Sequence, residues 1–176
     1  LYAFLKSKVD SETKIITIED PIEYHLGGLE QTQVDEEAGY TFANGLRSLM
    51  RQDPDIILVG EVRDRDTAEI ALQAALTGHL VFSTVHANEA AGAIPRFLDL
   101  GVKPSSIGPA LNLIIGQRLI RRLCIECKVP DVLGPDMKKR IEHFLNSVPK
   151  RVDRKDYEEI TIYGPSPKGC PKCSGF

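Results

Sequence analysis

The stretch DPDIILVGEVRD, residues 53–64, joins an unbroken apolar run to a charged end. The run extends from Ile56 to Val59, and the sequence GEVRD follows it at once. Short continuous apolar runs are typical of strands buried on both faces, as in a parallel sheet covered by helices. We interpret the run as a rigid strand that carries Glu61 to the rim of a sheet, with Gly60 allowing close backbone approach.

Two further segments predict strands of the same kind. They are KIITIE at 14–19 and HLVFSTVH at 79–86, and both are nearly continuous apolar runs rather than alternating ones. Three buried strands of this character predict an α/β fold with a mostly parallel sheet and helices on both faces.

Helical patterns flank the second strand. TFANGLRSLMRQ at 41–52 precedes it, with Thr41 as the expected cap. RDTAEIALQAALTG at 65–78 follows it, with Asp66 as the expected cap in a capping box and Gly78 as the stop. The second helix would form a right-handed crossover between two parallel strands.

Two later segments give weaker patterns. EAAGAIPRFLDLG at 89–101 predicts a helix disturbed by Pro95. Residues 104–123 predict a helix, then a turn, then a strand.

Composition limits the classes of protein. The chain has 176 residues, of which 42% are hydrophobic, so it can bury one substantial core. The net charge of −3 and the pI of about 5.8 give no reason to expect a direct nucleic-acid partner. No apolar run approaches the roughly 20 residues that cross a bilayer.

Polar side chains follow all three predicted strands. Because the carboxyl ends of parallel strands form the ligand-binding edge of such a sheet, these side chains would gather there. Carboxylates at that edge suit Mg²⁺ bound to phosphates, and one further from the metal could orient an attacking water. The alternative is that acidic residues only mark where the chain reaches the surface. The residues concerned are Glu19, Asp20, Glu23, Glu61, Thr84 and His86.

The two histidines of the third strand cannot share a metal ion. His79 and His86 would lie about 23 Å apart along an unbroken strand. His86 leaves the sheet at the ligand edge, where a polar role near a phosphate is plausible. His79 enters at the opposite end, where a packing role fits equally well.

Three motifs, in this order and spacing, closely resemble those of the secretion ATPases of type II secretion and type IV pilus systems. They are TIEDPIEY at 17–24, LRSLMRQDPDIILVGEVRD at 46–64 and TGHLVFSTVHAN at 77–88. In the terms of that family they are the Asp box, the Walker B motif and the His box. The resemblance covers most of residues 1–127 and implies a RecA-like P-loop NTPase core in a homo-hexameric motor.

The resemblance also implies roles for single residues. Glu23 matches the catalytic glutamate that polarises the attacking water, and Glu61 matches the Walker B glutamate near Mg²⁺. Gly60 stands where other Walker B motifs have aspartate. No arginine is assigned as an arginine finger. The residues expected to contact the nucleotide or its metal are Asp20, Gly60, Arg63, His79 and His86.

One element of the family pattern is absent from the sequence. No Gly-rich loop ending in Lys-Ser/Thr precedes the first strand, although LYAFL at 1–5 resembles the helix that follows that loop. We therefore expect the chain to be part of a longer ATPase, with the phosphate-binding loop just before Leu1. The isolated chain is expected to be inactive in ATP hydrolysis.

The four cysteines form two Cys-x-x-Cys pairs, Cys124 with Cys127 and Cys170 with Cys173. Such pairs can build a four-thiolate zinc site, but the separation across residues 128–169 is longer than usual. A redox dithiol and four unrelated thiols are the alternatives. The resemblance implies a structural zinc ion here, in a subdomain that assembly motors carry and retraction motors lack.

The expected organisation follows from these motifs. Residues 1–123 form a partial RecA-like core, residues 124–173 form the tetracysteine subdomain, and residues 174–176 begin a missing C-terminal part. Within the subdomain, residues 137–148 predict an amphipathic helix and residues 160–163 a short strand.

The resemblance implies ATP and Mg²⁺ as ligands and a motor that powers pilus assembly or type II secretion. The partners would be an inner-membrane platform protein and the pilus or pseudopilus machinery. The location would be the cytoplasmic face of the inner membrane, with peripheral association through those partners. The alternatives are a DNA-uptake or conjugation motor of the same fold and a non-catalytic, zinc-bearing interaction module.

Overall fold

The structure is a computed structural model that describes residues 1–149 and 162–173. The chain divides into two compact units, residues 1–117 and residues 118–176. The boundary predicted at 123/124 falls inside the second unit, and the nature of the two units as domains stays a prediction.

The first unit is built on a sheet of four parallel strands. The strands are β1 Ile15–Glu19, β2 Glu30–Gln33, β3 Ile56–Val59 and β4 Leu80–Ser83. Their order in the sheet is β2-β1-β3-β4. The prediction of a parallel sheet is confirmed, and the three predicted strands are present. β2 was not predicted from the sequence because EQTQ contains no apolar residue and lies at the edge of the sheet.

Five helices accompany this sheet. They are α1 Tyr2–Lys6, α2 Phe42–Leu49, α3 Arg65–Leu76, α4 Ala93–Asp99 and α5 Pro104–Ala110, and a 3-10 turn at Met50–Gln52 extends α2.

The two faces of the sheet bury different apolar sets, because alternate residues of a strand point to opposite faces. One set includes Ile16, Ile18, Ile57 and Val59, which pack with residues of α2, α3 and α5. The other set includes Ile15, Ile56 and Leu58 of the strands and Leu5 of α1. The central strands β1 and β3 are buried on both faces, which accounts for their continuous apolar sequences.

The predicted cap of α3 is wrong by two residues. Asp64 is the N-cap, and its carboxylate accepts hydrogen bonds from the backbone N–H and the hydroxyl of Thr67, both at 2.8 Å. Asp66 lies inside the first turn. The predicted cap of α2 is confirmed, since Thr41 accepts from the Asn44 N–H. Gly78 follows α3 with φ of 106°, as expected of a stop residue.

Two other expectations need correction. The helix predicted over 89–101 is limited to Ala93–Asp99, because Pro95 is accommodated only in the first turn of a helix. The strand predicted near the end of 104–123 is not formed, and residues 111–124 have no regular structure. Leu113 and Ile115 in this segment are 75% and 64% exposed.

The described residues of the second unit, 118–149 and 162–173, form one helix and a two-stranded antiparallel ribbon. The predicted helix is confirmed as α6, Pro135–Ser147. The ribbon pairs β5, Val129–Pro130, with β6, Tyr163–Gly164. The strand predicted at 160–163 overlaps β6 at its last residue, and residues 160 and 161 lie outside the described part of the chain. Among the described residues of both units, no helix has the length and apolar character needed to cross a membrane.

Replacing Asp64 by alanine tests the corrected cap of α3. We expect Asp64→Ala to lower the free energy of unfolding by about 1–2 kcal/mol, because the backbone N–H and the hydroxyl of the buried Thr67 both lose their hydrogen bond to the Asp64 carboxylate. Asp66→Ala is the matched control and should cost about 0.5 kcal/mol, through the helix dipole alone. Equilibrium unfolding in urea measures both, and equal losses would contradict the assignment.

Candidate functional site

The residues that follow β1, β3 and β4 are tied together at the carboxyl edge of the sheet. The Gly60 N–H donates to the Ile18 carbonyl at 2.8 Å, and the Thr84 hydroxyl donates to the Gly60 carbonyl at 2.6 Å. The Val62 N–H donates to the Thr84 carbonyl at 2.9 Å. These bonds continue the sheet past its last paired residues and give Glu61 a fixed backbone position.

Gly60 lies close to the neighbouring strand, and a Cβ here would force the neighbour to shift by a few tenths of an ångström. A Cβ at this position would lie 3.2 Å from the Glu19 Cα and 3.2 Å from the Ile18 carbonyl oxygen. Both are backbone atoms that cannot turn aside, so a side chain would push β1 and β3 apart. The close approach expected of Gly60 is therefore made to the backbone of β1.

Four of the predicted site residues meet at this edge. The Glu61 carboxylate pairs with the Arg63 guanidinium at 2.5 Å and with Nε2 of His86 at 3.2 Å. Arg63 also reaches the Asp20 carboxylate at 3.5 Å. We call Asp20, Glu61, Arg63 and His86 the edge cluster. It joins residues that follow three different strands.

The environment favours an ionised Glu61. The hydrogen bond and charge of Arg63, with a smaller contribution from His86, hold the pKa of Glu61 below its usual value, although burial opposes this. The same pairing raises the pKa of Arg63. The side chain of Glu61 is 13% exposed, whereas that of His86 is 84% exposed. Glu61 is thus a carboxylate held by two partners, and each oxygen keeps a lone pair for a metal or a water.

An open, acidic cleft lies beside the edge cluster. It encloses about 670 Å³. Its lining consists of one cation, four carboxylates and two uncharged residues, namely Arg63, Asp20, Asp35, Glu36, Glu37, Gln33 and Val34.

The structure does not place Glu23 in the edge cluster. Glu23 is exposed in the segment between β1 and β2. Its neighbour Tyr24 contacts the Tyr2 ring, with ring centroids 4.5 Å apart. Burial, followed by the hydrogen bond and charge of Glu19, raises the pKa of the Tyr2 phenol to about 12, whereas Glu23 acts in both directions, its backbone lowering this pKa and its charge raising it.

His79 lies at the opposite edge of the sheet. Its Nδ1 is 3.0 Å from the Ala74 carbonyl and 3.2 Å from the Thr77 hydroxyl, so the ring packs against the end of α3. Within this chain it does not meet the edge cluster, and its assignment as a nucleotide contact stays a prediction from the resemblance.

Sequence reasoning missed the polar network around Glu19. This carboxylate is only 5% exposed. It accepts hydrogen bonds from the Tyr2 hydroxyl, from the Thr17 hydroxyl at 2.5 Å and from Gln31 Nε2 at 3.1 Å. The signal that could have found it is alternation, because Gln31 and Gln33 of EQTQ point to the same face of a strand.

The four cysteines of the second unit converge. Their sulfur atoms all lie within 4.8 Å of one another. The β5–β6 ribbon explains how the long separation is closed, since β5 follows Cys127 and β6 precedes Cys170 at the base of the insertion. The Lys128 N–H donates to the Cys124 carbonyl at 3.0 Å and closes the turn of the first pair.

The sulfur geometry fits a tetrahedral zinc ion. A Zn–S bond of about 2.3 Å requires sulfur atoms about 3.8 Å apart at the corners of a tetrahedron. The observed separations are 3.8 Å between Cys124 and Cys170, 3.6 Å between Cys127 and Cys173, and 3.8 Å between Cys170 and Cys173. Burial and the neighbouring thiols raise the pKa of the Cys127 thiol to about 12, and a bound divalent cation would reverse this by favouring thiolates.

The two lysines beside the cysteines, Lys128 and Lys172, pair with side chains of the second unit. Lys172 bonds the Glu126 carboxylate at 2.5 Å, and the Lys128 ammonium lies 4.0 Å from the centre of the Tyr163 ring.

The fold and the site define a RecA-like α/β core with a carboxylate-bearing edge. The pilus retraction motor PilT with bound ADP superposes on this chain with a TM-score of 0.53 and 41% identity, over 60% of this chain and 32% of that one. The ATPase DotB of Legionella pneumophila gives a TM-score of 0.50 at 31% identity, over 60% of this chain and 31% of that one.

The chain belongs to the type II/IV secretion system protein family, whose sequence model matches residues 1–176. It is 45% identical to the type II secretion system ATPase E of Vibrio cholerae over 174 residues, which is 99% of this chain and 32% of that protein. It is 52% identical to the type IV pilus assembly ATPase PilB of Myxococcus xanthus over 130 residues, 74% of this chain and 23% of that protein. The chain thus spans about a third or less of these relatives.

The lowered pKa of Glu61 predicts how stability depends on pH. A carboxyl whose pKa is lower in the folded state stabilises the fold above its unfolded pKa, and this stabilisation is lost as pH falls through the folded-state pKa. We therefore expect wild type to exceed Glu61→Gln in free energy of unfolding at neutral pH, and the difference to shrink below pH 4.5, the ordinary pKa of the group.

The difference at neutral pH should not exceed about 1 kcal/mol, because Arg63 is 56% exposed and solvent screens the pair. Glu69→Gln, which removes an exposed ion pair with Arg65, is the control and should change the pH dependence little. If the stability of Glu61→Gln had the same pH dependence as that of wild type, the lowered pKa of Glu61 would be contradicted.

Proposed function

We propose that this chain is the catalytic part of an ATP-hydrolysing, homo-hexameric motor that powers type IV pilus assembly or type II secretion. The observation that carries the proposal is the edge cluster, in which Glu61 is held by Arg63 and His86 beside Asp20. Membership of the secretion family and the ADP bound to PilT support a nucleotide as the ligand.

Each side chain has a proposed task in this reaction. Glu61, with Asp20, offers the carboxylate oxygens that Mg²⁺ prefers. When bound, the metal neutralises charge on the terminal phosphates of ATP. Arg63 supplies positive charge at the same edge, and His86 keeps one Glu61 oxygen in place. Glu23 would accept a hydrogen bond from the attacking water and orient it towards the terminal phosphate.

The chain needs further parts of the protein for catalysis. Its sequence has no Gly-rich loop ending in Lys-Ser/Thr, which is the element that surrounds phosphates with backbone N–H groups in P-loop enzymes. The exposed side chains of Leu113 and Ile115 also favour a larger assembly that covers them. We therefore propose that the isolated 176 residues do not hydrolyse ATP at an appreciable rate.

The proposed partners follow from the relatives. Two of them are named for type II secretion and for type IV pilus assembly, and the four-cysteine cluster favours assembly over retraction. The motor would work at the cytoplasmic face of the inner membrane, attached through a platform protein of the pilus or pseudopilus machinery. The proposed metal of the second unit is a structural Zn²⁺ ion held by four thiolates, with no open position for catalysis.

ATP turnover by the full-length protein tests the catalytic assignment. Glu61→Gln and Glu23→Gln should each lower kcat by about 10²- to 10⁴-fold, because the first weakens the metal site and the second removes the acceptor for the water. The matched control is Glu69→Gln on the exposed face of α3, which should keep wild-type kcat. Wild-type turnover by Glu61→Gln would overturn the catalytic assignment. Appreciable turnover by the isolated chain would overturn the separate proposal that this chain is inactive without the rest of the protein.

Metal analysis of the chain tests the zinc assignment. We expect one zinc ion per chain, and loss of the ion in Cys124→Ser and Cys170→Ser. Replacement of zinc by Co²⁺ should give the absorption bands of a tetrahedral thiolate complex. His143→Ala on α6 is the control and should retain the metal, because only sulfur atoms belong to the cluster. Metal content that is unchanged in the serine variants would refute the site.

A further inference from the structure

Two glutamines of β2 hold the backbone on both sides of Glu23. The Ile22 N–H donates to Gln33 Oε1 at 3.2 Å, and Gln31 Nε2 donates to the Tyr24 carbonyl at 3.4 Å. Ile22 and Tyr24 are the residues directly before and after Glu23. We call residues 20–26 the Glu23 loop.

Gln31 makes two hydrogen bonds to this loop and one to Glu19, the last residue of β1. Its Oε1 accepts from the Leu26 N–H at 2.7 Å, and its Nε2 donates both to the Tyr24 carbonyl and to the Glu19 carboxylate, the latter at 3.1 Å. The orientation of the amide is determined by these partners. A carbonyl oxygen turned towards Glu19 would face another acceptor, while the NH₂ group would face the Leu26 N–H.

The Glu19 carboxylate is a rigid anchor for Gln31. It is buried, and the Tyr2 and Thr17 hydroxyls also donate to it. Parallel pairing of β1 with β2 places Thr17 opposite Gln31, so these donors and acceptors share one face of the sheet. The Tyr2 ring adds an edge-to-face contact with Tyr24, with ring centroids 4.5 Å apart.

We propose that Gln31 is a positioning residue for Glu23, because it fastens the Glu23 loop to the buried Glu19 carboxylate and so fixes where the Glu23 side chain starts. This inference rests on the proposed function, in which Glu23 orients the attacking water. Gln31 acts through the backbone of the loop and through Glu19, not by contacting the substrate. Its contribution is to hold an exposed loop in one conformation, which matters because small errors in the position of a catalytic group are costly.

Steady-state ATP hydrolysis by the full-length protein provides the first test. Gln31→Leu keeps the size of the side chain but removes all three hydrogen bonds. We expect kcat to fall about 10- to 100-fold while KM for ATP changes less than about twofold. Gln73→Leu, the same replacement at an exposed position of α3, is the matched control and should match wild type.

A double-mutant cycle with Glu23→Gln separates positioning from a general loss of structure. If Gln31 acts through Glu23, Gln31→Leu should have little further effect on kcat in the Glu23→Gln background. An equal fold loss of kcat in both backgrounds would overturn the inference, and so would a Gln31→Leu variant that behaves like Gln73→Leu. If Glu23→Gln itself retains wild-type kcat, the catalytic assignment of Glu23 fails, and the inference falls with it.

Gln31→Glu gives a second variant that does not depend on how Gln31→Leu folds. It keeps the acceptor for the Leu26 N–H but loses the Nε2 donor to the Glu19 carboxylate and to the Tyr24 carbonyl. Its kcat should therefore fall well below that of wild type while KM for ATP changes less than about twofold. A Gln31→Glu variant with wild-type kcat would contradict the proposed role of the Nε2 donor.

Discussion

The close approach of β1 and β3 at Gly60 is the constraint on which the site depends. At this point the two backbones are so near that a Cβ would lie 3.2 Å from the Glu19 Cα. The approach keeps the parallel register through the ends of the strands, where the Gly60 N–H still bonds the Ile18 carbonyl. Because the register is kept, Asp20 and Glu61 leave the sheet side by side and share Arg63.

The two faces of the sheet contribute differently to the structure: one supplies most of the apolar burial, and the other also contains a buried polar network. The face that packs against α2, α3 and α5 is apolar and supplies most of the burial. The face towards α1 is apolar at its centre but ends in the Glu19 network, where a buried carboxylate accepts hydrogen bonds from three side chains. A buried carboxylate without partners would be costly, so this network must form together with the fold. It thereby connects the stability of β1 and β2 to the position of the Glu23 loop.

The sequence was sufficient to predict the central strands and the parallel sheet, and it placed Asp20, Glu61 and His86 at one edge, whereas Glu23, which was expected beside them, is not in the edge cluster. Continuous apolar runs identify strands buried on both faces, and the residues that follow them must meet at one edge. The residues EQTQ of β2 could not be predicted in this way, because an edge strand needs no apolar side chains. The strand expected near the end of 104–123 shows the opposite error, since an apolar sequence forms a strand only where a neighbour is available to pair with it. Asp64 and Asp66 are both suitable caps by residue type, and only the backbone geometry distinguishes them.

The location of Mg²⁺ and nucleotide in the full-length protein tests the central claim most directly. A crystal structure with Mg²⁺ and a non-hydrolysable ATP analogue should place a Glu61 oxygen about 2 Å from the metal, or about 4 Å from it through one bound water. The terminal phosphate should then lie at the carboxyl edge of β1 and β3, with the Glu23 side chain turned towards it. A nucleotide bound elsewhere, with Glu61 still paired to Arg63 and His86 and remote from the phosphates, would contradict the account.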